Sequence, residues 1–266
     1  MRKVAALLRA AWLAAISYRL GIVMSFASLL LGVVPIYFVS HALQPTMGNV
    51  IRGEGPEYFG FLIVGMMVLS VITAMLYALP NAISSAASNG TLEALFTTPT
   101  SIPVLLTGLA IYEVLFALAR ALVFFLAAVA LGIHVSWDRI VVALPVLLLL
   151  MVAHVPFGLL AGAMILAFRT VGPLPQVVLL LSSLLGGTYY PTHVLPGWIE
   201  KVSLVLPLTY GLRAFRGMLL EGLPLSAVAK DVMILALFAA ALSIAGALAF
   251  RSALRYARRA GTLAQY

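Results

Sequence analysis

The sequence predicts an all-α polytopic membrane protein with six transmembrane helices, and three observations carry that prediction. Charged residues make up 9% of the 266 positions and hydrophobic residues 64%. A soluble domain carries about 25% charged residues, so this chain cannot coat a water-facing surface. The apolar runs are unbroken. A backbone in lipid must satisfy its own hydrogen bonds as helices or a closed barrel, and barrel strands would alternate in polarity over about ten residues, so the spans are helices. The net charge of +8 gathers towards the two ends of the chain, which fits a cytoplasmic membrane face rather than a nucleic-acid groove. With no cysteine there is neither a disulfide framework nor a thiol metal site.

The first element is Met1–Arg19. Val4, Leu7, Leu8, Ala11 and Ala15 cluster on one side of a helical wheel, with Arg2 and Arg9 opposite. This pattern reads as an amphipathic helix lying on the cytoplasmic surface. A cleaved signal peptide would need a small-x-small site after a short apolar core, and none follows. Six stretches then reach the length of about twenty residues that a hydrocarbon core demands. They are Leu20–Ser40, Tyr58–Leu79, Ile102–Gly132, Ile140–Phe168, Gly172–Tyr189 and Asp231–Phe250. The third and fourth are long enough to tilt or protrude. Pro35, Pro145, Pro156, Pro173 and Pro175 predict kinks or helix starts within membrane depth. No internal repeat interrupts the chain, which reads as one transmembrane domain over residues 1–266.

Basic residues set the orientation. With both ends inside, Arg2, Lys3, Arg9, Arg19, Arg169, Arg251, Arg255, Arg258 and Arg259 face the cytoplasm, and the terminal clusters sit tightest against the spans, where the positive-inside rule has most force. Both termini of the multi-pass chain are then cytoplasmic, and its expected location is a prokaryotic cell (inner) membrane. Residues 84–101, between spans two and three, fall inside, and residues 191–222, between spans five and six, fall outside. The outer segment is too apolar for a solvated loop and too broken by Pro196, Pro207 and Gly211 for a span. It predicts a re-entrant extracellular hairpin of two short helices, Pro196–Leu206 and Leu208–Leu220.

Enzymatic motifs are missing from the sequence. None of Lys3, Lys201 and Lys230 follows the glycine of a Walker A loop, and no histidine opens an H-E-x-x-H site. No G-x-S-x-G elbow occurs. The chain is therefore not expected to be catalytic by itself or to bind a cofactor or metal directly. Ionisable groups inside spans are functional candidates, and here these are Glu113, Arg120 and His154. Glu113 and Arg120 lie seven residues apart, about 10 Å along a helix axis, so each is expected to meet another helix rather than its neighbour.

The inner segment Ser88–Pro103 has a helix signature of its own. Gly90 can break the preceding helix, with Ser88 or Asn89 as candidate N-cap. Glu93 favours the positive end of the new helix. Leu92, Leu95 and Phe96 form an apolar ridge at i, i+3 and i+4. Pro99 and Pro103 then stop it and restart the chain as the third span. A short helix with one greasy face suits a groove on a partner.

Two blocks of residues carry a family resemblance. One is Gly90-Thr-Leu-Glu-Ala-Leu95 with Thr98-Pro99. The other is Tyr190-Pro191 and Leu195-Pro196-Gly197-Trp198, followed by Pro207-Leu-Thr-Tyr210 and Arg213. In this order, with the amino-terminal helix and six spans, the chain resembles the ABC-2 permeases, the membrane subunits of type-2 ABC exporters. The resemblance implies a half-transporter that pairs with a second copy or a homologous permease and is driven by separate ABC ATPase subunits, which hold the ATP and Mg. Gly90, Thr91, Leu92, Glu93, Leu95, Phe96, Thr98 and Pro99 would belong to a coupling helix seated in the ATPase. Tyr190, Pro191, Pro196, Trp198, Pro207, Tyr210 and Arg213 would belong to the hairpin that caps the outer end of the path. The implied cargo is a hydrophobic drug, a lipid or a lipid-linked glycan, and membrane lipids are the other expected contacts. The alternative is a self-sufficient secondary transporter or channel, which would need ion-coupling carboxylates deep in several spans, where Glu113 alone qualifies.

Overall fold

The structure is a computed structural model that describes residues 6, 8, 9, 12, 13, 16, 19–91, 100–168, 170 and 172–259. All regular structure among these residues is helical. The elements are α1 (Arg19–Met47), α2 (Tyr58–Ser88), α3 (Ile102–Ala130), α4 (Ile140–Phe168), α5 (Leu174–Leu185), α6 (Gly197–Ser203), α7 (Pro207–Glu221) and α8 (Leu225–Arg259), with single 3-10 turns at Trp137–Arg139 and Thr192–Val194.

Five helices, α1 to α4 and α8, are long and apolar enough to cross a membrane. The stretch expected to supply another span, Gly172–Tyr189, contains instead the 12-residue α5. At 1.5 Å per residue α5 is about 18 Å long, short of a hydrocarbon core of about 30 Å. Its limits are local. Pro175 sits in its first turn and Gly186 caps its end, and Gly187 then takes a φ of 85°, outside the helical range.

Helices α2 and α4 form the centre of the bundle. α3 packs on α2, α8 packs on α4, and α1 lies outermost along α2 and α3. The two central helices approach closely because glycine lines their crossing. In the run Gly158-Leu-Leu-Ala-Gly162 of α4, a Cβ at Gly158 would collide with the carbonyl oxygen of Met75, and one at Gly162 would lie 3.0 Å from Ile83 Cδ1. α8 uses the same device, since a Cβ at Gly246 would lie 2.8 Å from Pro156 Cβ. Small residues at four-residue spacing let backbones meet where lipid supplies no hydrophobic drive to bring helices together. By contrast, α1 exposes Leu20, Leu31 and Phe38, an apolar surface suited to lipid or another chain. Pro35, Pro45, Pro80, Pro145 and Pro156 all lie inside continuous helices.

Candidate functional site

Between α5 and α8 the chain builds a compact assembly of loop, α6 and α7 at the α2 amino-terminal end of the bundle. Pro207 opens α7, where its missing N–H costs nothing. Gly222, at φ 69°, closes it in the left-handed conformation. The α3–α4 connection holds that end, as Ser136 N–H donates to Leu219 O at 2.9 Å. Every α7 residue from Pro207 to Leu220 except Arg213 is buried. Its 15 residues extend about 22 Å, so α7 is a short helix held inside protein rather than a crossing helix. The segment is stapled to itself by side-chain to backbone bonds. Thr209 Oγ1 donates to Ser203 O at 2.7 Å, Tyr210 OH to Leu204 O at 2.9 Å, and Tyr190 OH to Leu184 O at 2.5 Å.

Arg216 ties this assembly to the bundle. Its side chain is 0% exposed. Nη1 donates to Gly187 O at 2.6 Å and approaches Glu54 Oε2 at 3.4 Å, while Nη2 donates to Phe61 O at 2.8 Å and Thr188 O at 2.9 Å. The guanidinium lies 3.5 Å from the centroid of the Phe61 ring, a cation over an aromatic face. One side chain thus joins α7, α2, the turn before α2 and the loop after α5. Gly65 makes room for it, because a Cβ there would collide with Arg216 Nη2 and Thr188 O. Burial pulls the Arg216 pKa down to about 10, opposed by the Glu54 carboxylate, so the group stays cationic at neutral pH. A buried cation is held only by such pairing.

Arg213, one turn earlier on α7, reaches elsewhere. Nη2 donates to Thr192 Oγ1 at 3.1 Å, and Nη1 lies 3.7 Å from Asp231 Oδ1 of α8. Tyr58 OH donates to Tyr189 O at 3.0 Å. Among the sequence-predicted outer residues, Tyr190, Pro191, Pro207, Tyr210 and Arg213 are at least partly buried in this assembly. Pro196 and Trp198 are exposed on the start of α6, Trp198 at 71%. The two helices run Gly197–Ser203 and Pro207–Glu221, against the expected Pro196–Leu206 and Leu208–Leu220. Arg216 was not among the predicted site residues. The available signal was a second arginine three residues after Arg213 in an otherwise apolar helix.

The structure does not bring the three intramembrane candidates together. Glu113 is exposed on α3, and Arg120 is half-buried with its guanidinium 5.2 Å from the Phe116 ring. The two do not pair. His154 is fully buried in α4, its Nδ1 2.8 Å from Leu150 O and its Nε2 without a partner among the described residues. No group of three or more histidine, aspartate or glutamate residues able to hold a metal occurs among the described residues.

At the opposite end of α2 the chain is stopped by a Schellman arrangement. Gly90 N–H donates to Ala87 O at 3.1 Å and Thr91 N–H to Ala86 O at 2.9 Å, with Gly90 at φ 67°. Asn89 is the C-cap of α2. Leu92, Glu93, Leu95, Phe96, Thr98 and Pro99 lie outside the described residues, as does most of the amino-terminal segment 1–19.

The sequence matches the family described as ABC-2 type transporter over residues 2–220. Curated proteins give no match.

Proposed function

Since the chain belongs to the ABC-2 type transporter family, we propose that it is the permease subunit of an ABC exporter, working in a pair and driven by separate ATPase subunits. The observation that carries this reading is the family match across residues 2–220, which takes in both the Gly90 turn and nearly all of α7. The glycine stop at Gly90 supports it, because it turns the chain out of α2 into the segment with the Leu92, Leu95 and Phe96 ridge. That segment is the coupling helix in this reading, and the ridge fills a groove on the ATPase.

ATP-driven closure of the ATPase pair presses on residues 90–98 and on the amino-terminal helix. The spans shift as rigid bodies and open a path between two copies of the chain, or between it and a homologous permease. α5 with Gly186–Tyr190 makes the fifth of six passages, and the even number returns both ends to the cytoplasm. α6 and α7 then re-enter from outside and cap the path, latched to α2 through Arg216. The cargo class is a hydrophobic drug, a lipid or a lipid-linked glycan.

Replacing Leu95 and Phe96 by Asp puts two charges on the docking ridge. In the reconstituted complex, the double variant is expected to lower ATP-dependent export at least tenfold while the permease still folds. Normal export with normal ATPase stimulation would remove the coupling assignment.

A further inference from the structure

α3 and α8 flank the bundle centre, one on α2 and the other on α4, and among the described residues form no packed interface with one another. The gap between them is a cavity of about 600 Å³ with α2 and α4 as its floor, within the range of ligand sites, about 300–1,000 Å³. Its polarity is one-ended. Arg251 and Thr107 lie at one end, and Met75, Val114 and Val155 line the other. On α3, Thr107 to Val114 spans about 10 Å of axis, so the groove has depth as well as a mouth. Thr107 and the small Ala247 in its wall are exposed, which leaves the groove open sideways.

The depth of the mouth follows from α8. Asp231 and Arg251 bracket Val232–Phe250, 19 uncharged residues that extend about 28 Å, close to the thickness of a hydrocarbon core. Arg251 therefore stands at headgroup level, with the apolar part of the groove at acyl depth. Its guanidinium has no hydrogen-bond or ion-pair partner among the described residues. Exposed Arg255 and Arg259 lie beyond it on the same helix, which adds to the attraction for anionic lipid. Fixed positive charge at the headgroup plane above an apolar groove is complementary to a phosphate carrying an acyl chain.

We propose that the α2–α3–α4–α8 groove is a binding site for one anionic phospholipid of the adjoining leaflet, with an acyl chain along the groove and the phosphate on Arg251. The site lies within a single copy of the chain and does not depend on coupling to an ATPase.

The test uses the full chain in nanodiscs of equal phosphatidylglycerol and phosphatidylcholine, released into the gas phase for counting of retained lipids. The expected result is one phosphatidylglycerol per chain, favoured about tenfold over phosphatidylcholine. Arg251→Gln, an exposed position, should abolish the preference, and Arg255→Gln should keep it. Ala247→Trp should fill the groove and expel the lipid while Arg251 remains, with Ala110→Phe as a second filling variant if Ala247→Trp lowers the melting temperature in detergent. An unchanged preference in Arg251→Gln would overturn the proposal, as would equal loss in Arg251→Gln and Arg255→Gln, the mark of diffuse surface charge. Retained lipid in both filling variants would overturn it, and so would displacement by millimolar glycerol phosphate, which lacks a chain. Preferential retention of a neutral hydrophobic dye, indifferent to Arg251→Gln, would assign the groove to uncharged cargo instead.

Discussion

Arg216 is a cation buried in a region where an unpaired charge would be expelled, and its position is fixed by three carbonyls from two segments, Phe61 O of α2 and Gly187 O and Thr188 O of the loop after α5, with Glu54 beside it. Arg216→Met would leave the Glu54 carboxylate without its cation and the carbonyls without a donor. Breaking a buried pair from one side costs about 3–5 kcal/mol, and we expect a loss of that size in denaturant titration of the detergent-solubilised protein. Arg216→Lys should recover little of it, because a single ammonium cannot reach this spread of acceptors or lie flat on Phe61. The pH dependence follows from the direction of the shift. A cation whose native pKa is pulled below its ordinary value, to about 10, by burial binds fewer protons in the native than in the unfolded state only from about that pH upward, so its contribution to stability rises with pH there. Across pH 6–8 both states keep the proton and Arg216 adds no slope. Sequence reading found Arg213 through its place in a family block and passed over Arg216. The difference between them, one reaching Asp231 at a half-exposed edge and the other wholly buried, arises from α2 and Gly65, which are distant in sequence.

Helices were the most legible level, and the reason is length. Runs such as Tyr58–Leu79 and Ile140–Phe168 exceed what any buried strand needs, so type and approximate place follow from apolar content alone. Boundaries were less legible, as α2 continues to Ser88 and α8 to Arg259, because helices protrude past the hydrocarbon limits that hydropathy senses. In the fifth stretch, Gly172–Tyr189, the helix covers Leu174–Leu185, because hydropathy does not register the Gly186-Gly187 stop. The Gly158-x3-Gly162 contact was in the sequence as a known spacing, but its partner surface at Met75 and Ile83 exists only in the fold. Gly158→Leu should prevent α2 and α4 from closing, read as loss of a folded monodisperse peak in detergent, whereas Gly21→Leu, where nothing lies within 4 Å, should leave it intact. Gly90→Ala tests the other terminus of α2. No atom obstructs a Cβ there, so the expected loss is the left-handed backbone strain alone, about 1–2 kcal/mol, and Gly90→Asn should lose less.

The whole molecule divides its polar interactions between two ends. One end is latched by Arg216 and Arg213 into a closed assembly of α7, α2 and the loop after α5. The other carries the Gly90 turn and Arg251, Arg255 and Arg259 of α8. The membrane class and the family were legible in the sequence because composition and two short blocks carry them. A second copy would leave no mark in the composition, because an exposed apolar helix such as α1 reads the same against lipid as against another chain.

The most direct test is to purify the chain from its native membrane in mild detergent, reconstitute what co-purifies into vesicles, and measure MgATP hydrolysis. A second polypeptide with a Walker A loop is expected to accompany the chain and supply the hydrolysis, and exchanging wild type for Leu95→Asp/Phe96→Asp is expected to remove that polypeptide or its coupling. A chain that purifies alone and moves solute across the vesicle membrane without ATP would contradict this expectation.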